Sequence, residues 1–285
     1  MVRLYRSLTV AAPIRAARDH LRHWAIMEAM PTETVCEKCG GTGWIIVERA
    51  NISGAEPCGC RAQGRTERLE ERAQIPPLYK DTSFENFVVP GPENPIARRQ
   101  LTSILLAVKQ YVREFPTKDH IGLLLIGGTG TGKTHLAVAA LRQIMSKGFQ
   151  GLFCNYQTLL NSIKRGYDAA SNSSDQEAYI TALKTEVLLL DDIGAHSITG
   201  WVEDTINSIV TYRCDNRKPL IATTNLPDGD VGHSKMKRSA SGNIEYDTTL
   251  AERIGARARS RLLEMCTVIR MPLIEDYRIR KGKQF

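Results

Sequence analysis

The segment from residue 127 to 134 restricts the possible folds of this chain more than any other part of its sequence. It reads GGTGTGKT, which fits the pattern G-x-x-x-x-G-K-[ST], and it follows the apolar run IGLLLI at residues 121–126. Glycines in such a loop let main-chain N–H groups approach phosphate closely, and a helix that begins at Lys133 would add partial positive charge. A strand, a loop and a helix in this order predict a phosphate-binding site.

The loop offers several candidate contacts to a nucleotide. Lys133 is expected to reach the β- and γ-phosphates of ATP, and the Thr134 hydroxyl is expected to bind Mg²⁺. The other candidates are Gly127, Thr129, Gly130, Thr131 and Gly132. A glycine-rich turn that binds nothing would give no reason for a lysine at this place. The sequence therefore predicts ATP and Mg²⁺ as ligands.

Two acids follow another apolar run, VLLL at residues 187–190. Ligands of open α/β sheets bind beyond the carboxyl ends of the strands, where Asp191 and Asp192 would lie. Asp191 is expected to hold the Mg²⁺ shell, and Asp192 to orient and polarise the attacking water. A polar strand exit without function is the alternative.

The next strand ends in TTN, and Asn225 is the candidate to contact the γ-phosphate and the lytic water. Otherwise Asn225 is a turn residue before Pro227.

Apolar runs and helical patterns alternate along most of the chain, which predicts an α/β fold with a parallel sheet covered on both faces. Residues 156–186 hold helical segments broken by a polar stretch, and residues 226–247 are predicted to be a mobile loop. The strands are predicted at residues 121–126, 152–155, 187–190, 220–223 and 266–270, and the main helices at 95–115, 133–147, 201–216 and 249–265.

Four cysteines form two close pairs, Cys36 with Cys39 and Cys58 with Cys60. Two such pairs across a loop can build a tetrahedral zinc site, and so small a segment needs metal to fold. The C-x-C spacing of the second pair is less usual, and a redox pair or an iron–sulfur cluster is the alternative. The three other cysteines are expected to be core residues without a chemical role: Cys154, Cys214 and Cys266.

Composition and charge add limits. The chain has 285 residues and a net charge of +7, which fits a partner with a phosphate backbone. No apolar run approaches the ~18 to 20 residues that cross a bilayer, and no secretory signal is evident, so no membrane role and a cytoplasmic location are expected. The domains are predicted as a basic extension, for which disorder is one interpretation (1–30), a zinc module (31–62), a helical linker (63–80) and an ATPase domain (81–285).

The basic extension has three interpretations. Its five arginines and two acids resemble the composition of a transit peptide, or form a basic arm. Alternatively, translation begins at Met27 or Met30, just before the cysteine module.

At the other end of the chain, Arg253, Arg257 and Arg261 are spaced four residues apart, which predicts one row on a helix face. Such a row suits phosphate or a subunit interface, and otherwise it is a solvated stripe.

Several stretches together resemble the AAA+ ATPases of the DnaC/DnaI helicase-loader and IstB transposition-helper family. This resemblance implies a five-stranded sheet of order 5-1-4-3-2. The sequence ends soon after the fifth predicted strand, which leaves no room for a full lid domain, so no sensor-2 arginine on a lid is expected. The resemblance implies Walker A at 127–134, Walker B at 188–192, sensor 1 at Asn225, and an arginine finger at Arg261, with Arg257 second. The stretches are TSFENF (82–87), LLLIGGTGTGKTHLA (123–137), LLLDDIG (188–194), IATTNL (221–226), ERIGARARSRLLEMC (252–266) and DYR (276–278).

The resemblance also implies a function. It implies a loader that hydrolyses ATP and places a DnaB-type ring helicase on single-stranded DNA, with the N-terminal region contacting the helicase. A homo-oligomer is expected when ATP is bound, because a finger acts on a neighbour's site. Residues 156–186 would grip DNA through Lys164, Arg165 and Tyr167, whereas KMKR (235–238) inherits no role. The alternative is an IstB-like ATPase that binds DNA and regulates a transposase; a small-molecule kinase is disfavoured because no lid-sized segment is evident.

Overall fold

The computed structural model describes residues 36–40, 42–49, 52–166, 174–195, 199–229, 236–238, 244–246 and 248–282. The chain divides into two units, Met1–Arg61 and Ala62–Phe285. In the first unit, strands β1 (Trp44–Arg49) and β2 (Ile52–Pro57) form an antiparallel hairpin that the sequence did not predict. Helix α1 (Gly59–Arg72) begins at the end of this unit and continues into the second. The predicted basic extension lies outside the described residues.

The second unit contains a parallel sheet and the helices that cover it. Its elements are α2 (Pro95–Glu114), β3 (Gly122–Ile126), α3 (Lys133–Ser146), β4 (Gly151–Asn155), α4 (Tyr156–Gly166), α5 (Ser174–Lys184), β5 (Val187–Asp191), α6 (Gly200–Asp215), β6 (Leu220–Thr224), β7 (Met236–Arg238), β8 (Ile244–Tyr246), α7 (Leu250–Ile254), α8 (Ala256–Met265), β9 (Cys266–Arg270) and α9 (Tyr277–Gly282). Asn94 caps α2, because its side chain accepts from Ala97 N, and Pro95 takes the first helical position as predicted.

The sheet has the order β4-β5-β6-β3-β9, and every neighbouring pair is parallel. Read from β9, this is the predicted order 5-1-4-3-2, so the predicted fold class is confirmed. The three central strands β3, β5 and β6 are buried at every residue. Such strands carry near-continuous apolar runs because helices cover both faces.

Alternate residues of β3 belong to two different hydrophobic clusters. Leu123 and Leu125 pack with α2 and α3 on one face, whereas Leu124 and Ile126 pack with residues of α4, α6 and α8 on the other. This is the period of two that a strand imposes on its side chains. The sheet is therefore the middle of three layers, and its strands end together at one edge.

Three local features differ from the sequence-based expectations. The helix predicted at 249–265 is two helices, because Gly255 has a φ of 84° and a Cβ there would lie 2.3 Å from Glu203 Oε1. The predicted single row of arginines is therefore wrong, since Arg253 lies on α7, and Arg257 and Arg261 lie on α8. Within the segment predicted as a mobile loop, β7 and β8 pair as antiparallel strands.

Residues that follow the cysteine module pack on the sheet unit. Glu70 of α1 forms an ion pair with Arg142 (3.0 Å), and the carbonyl of the buried Ala73 accepts from Phe153 N (2.7 Å) at strand β4. Residues from Ala62 onward accordingly belong to the second unit. Among the described helices, none combines the length and apolar character that a bilayer crossing requires.

Candidate functional site

The loop between β3 and α3 is shaped for close approach to a ligand. Gly130 and Gly132 have φ angles of 69° and 92°, a region that side chains other than glycine rarely adopt. A Cβ on Gly132 would also lie 2.6 Å from Cε2 of Phe87, and Thr131 Oγ1 donates to Gly128 O (2.9 Å). The loop is therefore a cradle of main-chain amides at the N-terminus of α3, which is an anion site.

Lys133 is nearly buried, yet its ammonium group faces the polar end of the site. Its Nζ donates to Gly128 O (2.7 Å) and to Asn225 Oδ1 (2.6 Å). Burial lowers the pKa of Lys133, and the charges of Asp192 and Asp191 oppose this shift. Both present partners are uncharged oxygens, so the more negative oxygens of a phosphate would be stronger acceptors for this ammonium.

The two acids lie at the end of β5 with different partners. Asp191 Oδ1 accepts from Thr134 Oγ1 (2.9 Å) and from Thr223 Oγ1 (2.6 Å), whereas Asp192 Oδ1 accepts from Asn225 Nδ2 (3.0 Å). Burial raises the pKa of Asp191, and the two threonine hydroxyls oppose that shift. A hydroxyl beside a carboxylate supplies hard oxygen ligands, so Thr134 and Asp191 could hold Mg²⁺.

A cavity of about 650 Å³ lies over the loop, which is ample for a nucleotide. Its polar end is formed by the loop, Lys133, Thr134, Asp192 and Asn225. Its other walls come from the segment before α2, from α2 and from the C-terminal segment: Leu78, Tyr79, Thr82, Asn86, Phe87, Val88, Leu101, Ile274, Tyr277 and Arg278. The apolar walls suit a nucleobase, and the polar end suits phosphates.

The C-terminal segment contributes residues that sequence reasoning missed. Tyr277 N donates to Gly130 O (3.1 Å) of the phosphate loop, and Arg278 lines the cavity. The sequence signalled this segment only through the motif DYR, and neither Tyr277 nor Arg278 was assigned a role in the site. Because α9 follows β9 at the same sheet edge as the loop, a positive charge reaches the cavity without a lid.

His135 and Phe87 close the cavity on the side of the segment before α2. The rings are 5.4 Å apart between centroids, in an edge-on arrangement, and His135 Nε2 donates to Ser83 O (2.8 Å). Burial lowers the pKa of His135, so its neutral form is favoured. In the sequence, TSFENF stood out only because it matches the family resemblance. The packing gives this motif a structural role, because its last residue, Phe87, touches the Gly132 position of the phosphate loop.

The structure brings most of the predicted site residues together. Thr129 to Thr134, Asp192 and Asn225 line the cavity, and Asp191 is buried beneath Thr134. Gly127 lies behind the loop, where a Cβ would meet Met271 at 2.6 Å. Arg261 is partly exposed on α8 and pairs with Glu264 (2.8 Å). Lys164 and Arg165 are exposed at the end of α4, and Tyr167 lies outside the described residues.

The four cysteine sulfurs form one cluster, with all Sγ atoms within 4.8 Å of one another. Cys36 and Cys58 are 3.8 Å apart between sulfurs, and Cys39 and Cys60 are 3.4 Å apart. A tetrahedron with Zn–S bonds of about 2.3 Å places its sulfurs about 3.8 Å apart, so the cluster can hold zinc. Burial by itself would raise the pKa of the Cys39 thiol, but the N–H of Gly43 and the neighbouring thiols lower this pKa to about 6.

Comparison with known proteins places this chain among ATP-binding proteins. Residues 93–237, just over half of the chain, match the family model described as IstB-like ATP binding protein. The replicative helicase loader DnaC of Escherichia coli (strain K12) is 25% identical over 185 residues, which are 63% of this chain and 71% of that protein. The phage-like element PBSX protein XkdC of Bacillus subtilis (strain 168) is 25% identical over 201 residues, 67% of this chain and 71% of the relative.

Solved structures agree with this relationship. The crystal structure of the DnaC helicase loader matches with a TM-score of 0.53 and 28% identity, over 69% of this chain and 100% of that chain. The crystal structure of DnaI matches with a TM-score of 0.53 and 19% identity, over 73% of this chain and 98% of that chain, and this likeness concerns the fold alone. The chain therefore belongs to the IstB-like ATP binding protein family and has the fold of the DnaC-type AAA+ ATPases.

Proposed function

We propose that this chain is an ATP-dependent loader that places a DnaB-type ring helicase on single-stranded DNA and hydrolyses ATP to ADP and phosphate. One observation carries the proposal. The polar end of one cavity brings together Lys133, Thr134, Asp192 and Asn225. The chain that presents them matches the structure of the DnaC helicase loader with 28% sequence identity over the whole solved chain of that loader. A phosphate cradle, two acids and a polar strand end are the parts that ATP hydrolysis requires.

The residues present divide the hydrolytic work among them. Lys133 would turn from Gly128 O and Asn225 Oδ1 to the β- and γ-phosphates when ATP enters. Mg²⁺ held near Thr134 and Asp191 would neutralise phosphate charge. The Asp192 carboxylate would polarise the attacking water, and the Asn225 amide, which already donates to Asp192 (3.0 Å), would hold that water against the γ-phosphate.

DNA binding is proposed for the exposed end of α4. One shallow surface depression is lined by Thr158, Asn161, Lys164 and Arg165. The side chains of Lys164 and Arg165 carry its positive charge. Lysine and arginine on an exposed surface neutralise phosphates of single-stranded DNA without reading its sequence. The affinity is therefore expected to fall as salt is raised.

The test of the proposed function is helicase loading itself. The full chain, ATP and a DnaB-type helicase from the same host are mixed with closed circular single-stranded DNA, and helicase bound to the circle is measured. A loader increases the bound helicase only when ATP is present. The alternative function is a transposition helper, which the IstB-like family match favours. If the chain leaves helicase off the circle and instead stimulates a transposase of the same host, the loader proposal is wrong.

The cysteine cluster is proposed to hold zinc and to serve the contact with the helicase. Purified protein is expected to contain about one zinc ion per chain. Cys39→Ser should lose the metal and helicase binding, because a serine hydroxyl is a poor zinc ligand, and should retain ATP binding in the other unit. Zinc is measured by atomic emission, and helicase binding by pull-down.

The control for the zinc prediction is Cys214→Ser, which lies on α6, far along the chain from the cluster. This variant should keep its zinc and its helicase binding. A protein that contains no zinc when purified, and whose circular dichroism is unchanged by a strong chelator, would contradict the proposed module.

Arg261 is proposed to act in trans as an arginine finger within an ATP-bound homo-oligomer. Its position on α8, partly exposed and paired with the exposed Glu264 of its own chain, suits a contact with a neighbouring subunit. Arg261→Ala should lower ATP hydrolysis by about 10³-fold while nucleotide binding by the single chain is unchanged. Phosphate release and fluorescent-nucleotide binding measure the two effects.

Mixing two inactive variants tests the trans role directly. Arg261→Ala supplies an intact nucleotide site, and Lys133→Ala supplies an intact Arg261, so a mixture should regain part of the activity that neither variant has alone. Arg257→Ala, mixed in the same way, tests the second candidate finger. A mixture that stays as inactive as its components, or an Arg261→Ala chain that no longer binds nucleotide, would refute this role.

A further inference from the structure

One buried hydroxyl connects the two acids of the site. Thr223 lies near the end of β6, is fully buried and does not line the cavity. Its Oγ1 donates to Asp191 Oδ1 (2.6 Å) and accepts from Asp192 N (2.9 Å). Its carbonyl oxygen accepts from Ile193 N (2.8 Å). A single residue therefore holds three consecutive residues of the neighbouring strand end.

This arrangement begins where the strand pairing ends. The last register pair of β5 and β6 is Leu190 with Ala222, so ladder bonds from β6 no longer fix the acids beyond it, although Asp191 still pairs with Asn155 of β4. Asp192 has a φ of 59°, a left-handed conformation that persists only where its surroundings hold it. The bond from Asp192 N to Thr223 Oγ1 is one such restraint, and it keeps the Asp192 carboxylate directed at Asn225.

The same hydroxyl also orients the other acid. Asp191 Oδ1 receives two hydroxyl donors, Thr134 from the phosphate loop and Thr223 from β6. Thr134 precedes Asp191 in the sequence and lies on α3, whereas Thr223 follows it and lies on the adjacent strand β6. The carboxylate is therefore fixed in the position where Thr134 can share a cation with it.

We propose that Thr223 is a positioning residue for ATP hydrolysis, whose hydroxyl fixes the Asp191 carboxylate beside Thr134 and the Asp192 main chain beside Asn225. This inference rests on the proposed ATPase function of the same site. Groups that orient metal-binding carboxylates in this way change metal affinity or activity by about 10- to 100-fold when they are removed. The effect should fall on the Mg²⁺ concentration that nucleotide binding requires and, once Mg²⁺ is saturating, on kcat and not on KM.

Thr224, the next residue of the strand, is a matched control. It is also fully buried, but its Oγ1 donates to Ile193 O (2.8 Å) and accepts from Leu226 N (3.1 Å), so it touches neither acid. Thr224→Val removes the same hydroxyl, from the same strand, at the same burial. It therefore reports the general cost of losing a buried hydroxyl here.

The experiment compares full-length Thr223→Val, Thr223→Ser and Thr224→Val with the unchanged chain. Binding of a fluorescent ADP is titrated in EDTA and then with increasing Mg²⁺, and kcat and KM for ATP are measured. Thr223→Val should bind the nucleotide in EDTA within about 2-fold of the unchanged chain, need about 10-fold more Mg²⁺ and lose about 10- to 100-fold in kcat. Thr223→Ser should restore both, and Thr224→Val should change neither.

A second substitution guards against misfolding. If Thr223→Val does not fold by circular dichroism, Thr223→Cys replaces it, because a thiol is small but a weak donor. An unchanged Mg²⁺ midpoint in the valine or cysteine variant, or an equal loss in Thr224→Val, would overturn the proposal. If the unchanged chain binds Mg²⁺-nucleotide without hydrolysing ATP, the proposed ATPase fails, while the shift in the Mg²⁺ midpoint still decides the role of Thr223.

Discussion

Replacement of Lys133 by alanine is expected to abolish ATP binding at micromolar nucleotide and to lower hydrolysis by at least about 10²-fold. The Lys133 ammonium is the buried cation of the phosphate cradle, and its Nζ lies 2.7 Å from Gly128 O at the place where phosphate oxygens would enter. Alanine removes both that charge and the partner of Asn225 Oδ1. Fluorescent-nucleotide binding and phosphate release measure the two losses.

Two comparison variants make the Lys133 result specific. Asp192→Asn should keep its affinity for ATP and lose cleavage, because an amide keeps the size of the side chain but cannot polarise water as a carboxylate does. Lys118→Ala removes an exposed lysine from the loop before β3 and should change neither property. A Lys133→Ala chain that turns over ATP at the unchanged rate would exclude this cavity as the hydrolytic site.

Replacement of Arg213 by leucine is expected to lower the free energy of unfolding by about 3–5 kcal/mol. This residue is fully buried on α6, and its two terminal nitrogens donate to five main-chain carbonyls. The acceptors are the carbonyl oxygens of Ala182, Leu183, Thr185, Glu186 and Pro219, at 2.6 to 3.3 Å. Leucine would leave these buried acceptors without donors, and two or three carbonyls that water cannot reach, at about 1–3 kcal/mol each, account for a loss of this size.

The positions of the carbonyls that Arg213 binds explain why its loss would destabilise several elements of the fold. These carbonyls belong to the end of α5 and to the residues that lead into β5 and β6, so one side chain connects a covering helix to two central strands. Urea unfolding followed by circular dichroism measures the change. Arg213→Lys should give an intermediate loss, because an ammonium cannot span all five acceptors.

Arg113→Ala provides the control for this prediction, since Arg113 is an exposed arginine near the end of α2. Its urea midpoint should stay close to that of the unchanged chain, as expected for surface substitutions. An Arg213→Leu chain with an unchanged midpoint would show that the carbonyls find other donors. The nucleotide site should remain competent at temperatures where the variant is folded, because Arg213 lies outside the cavity lining.

The buried arginine could not have been identified from the sequence. Arg213 stands in the helical stretch TYRCD of the sequence, and such a charge is usually solvated. Its role depends on carbonyls about 30 residues earlier and 6 residues later, which meet only after α5, α6 and the strands have packed. A pattern along the chain contains the period of a helix, but not the neighbours of one of its side chains.

The break at Gly255 shows a second limit of sequence patterns. The sequence pattern predicted one helix from 249 to 265, and the capping box of Thr249 and Glu252 does begin a helix. That helix ends at Ile254 because Gly255 adopts a positive φ against Glu203. The glycine was visible in the sequence, but the contact that uses it comes from α6 and belongs to the tertiary structure.

The sequence by itself determined the features that arise from neighbouring residues. Residues that are close together in the sequence indicate the phosphate loop at 127–134, the apolar strands and the four-cysteine pattern. The order of the strands in the sheet follows from the motifs shared with the family. Only the tertiary structure decided that Thr223 holds both acids, that Tyr277 reaches Gly130 and that Phe87 packs on Gly132. The physical reason is that hydrogen-bond geometry between distant segments depends on how helices and strands pack, and packing is a property of the folded chain as a whole.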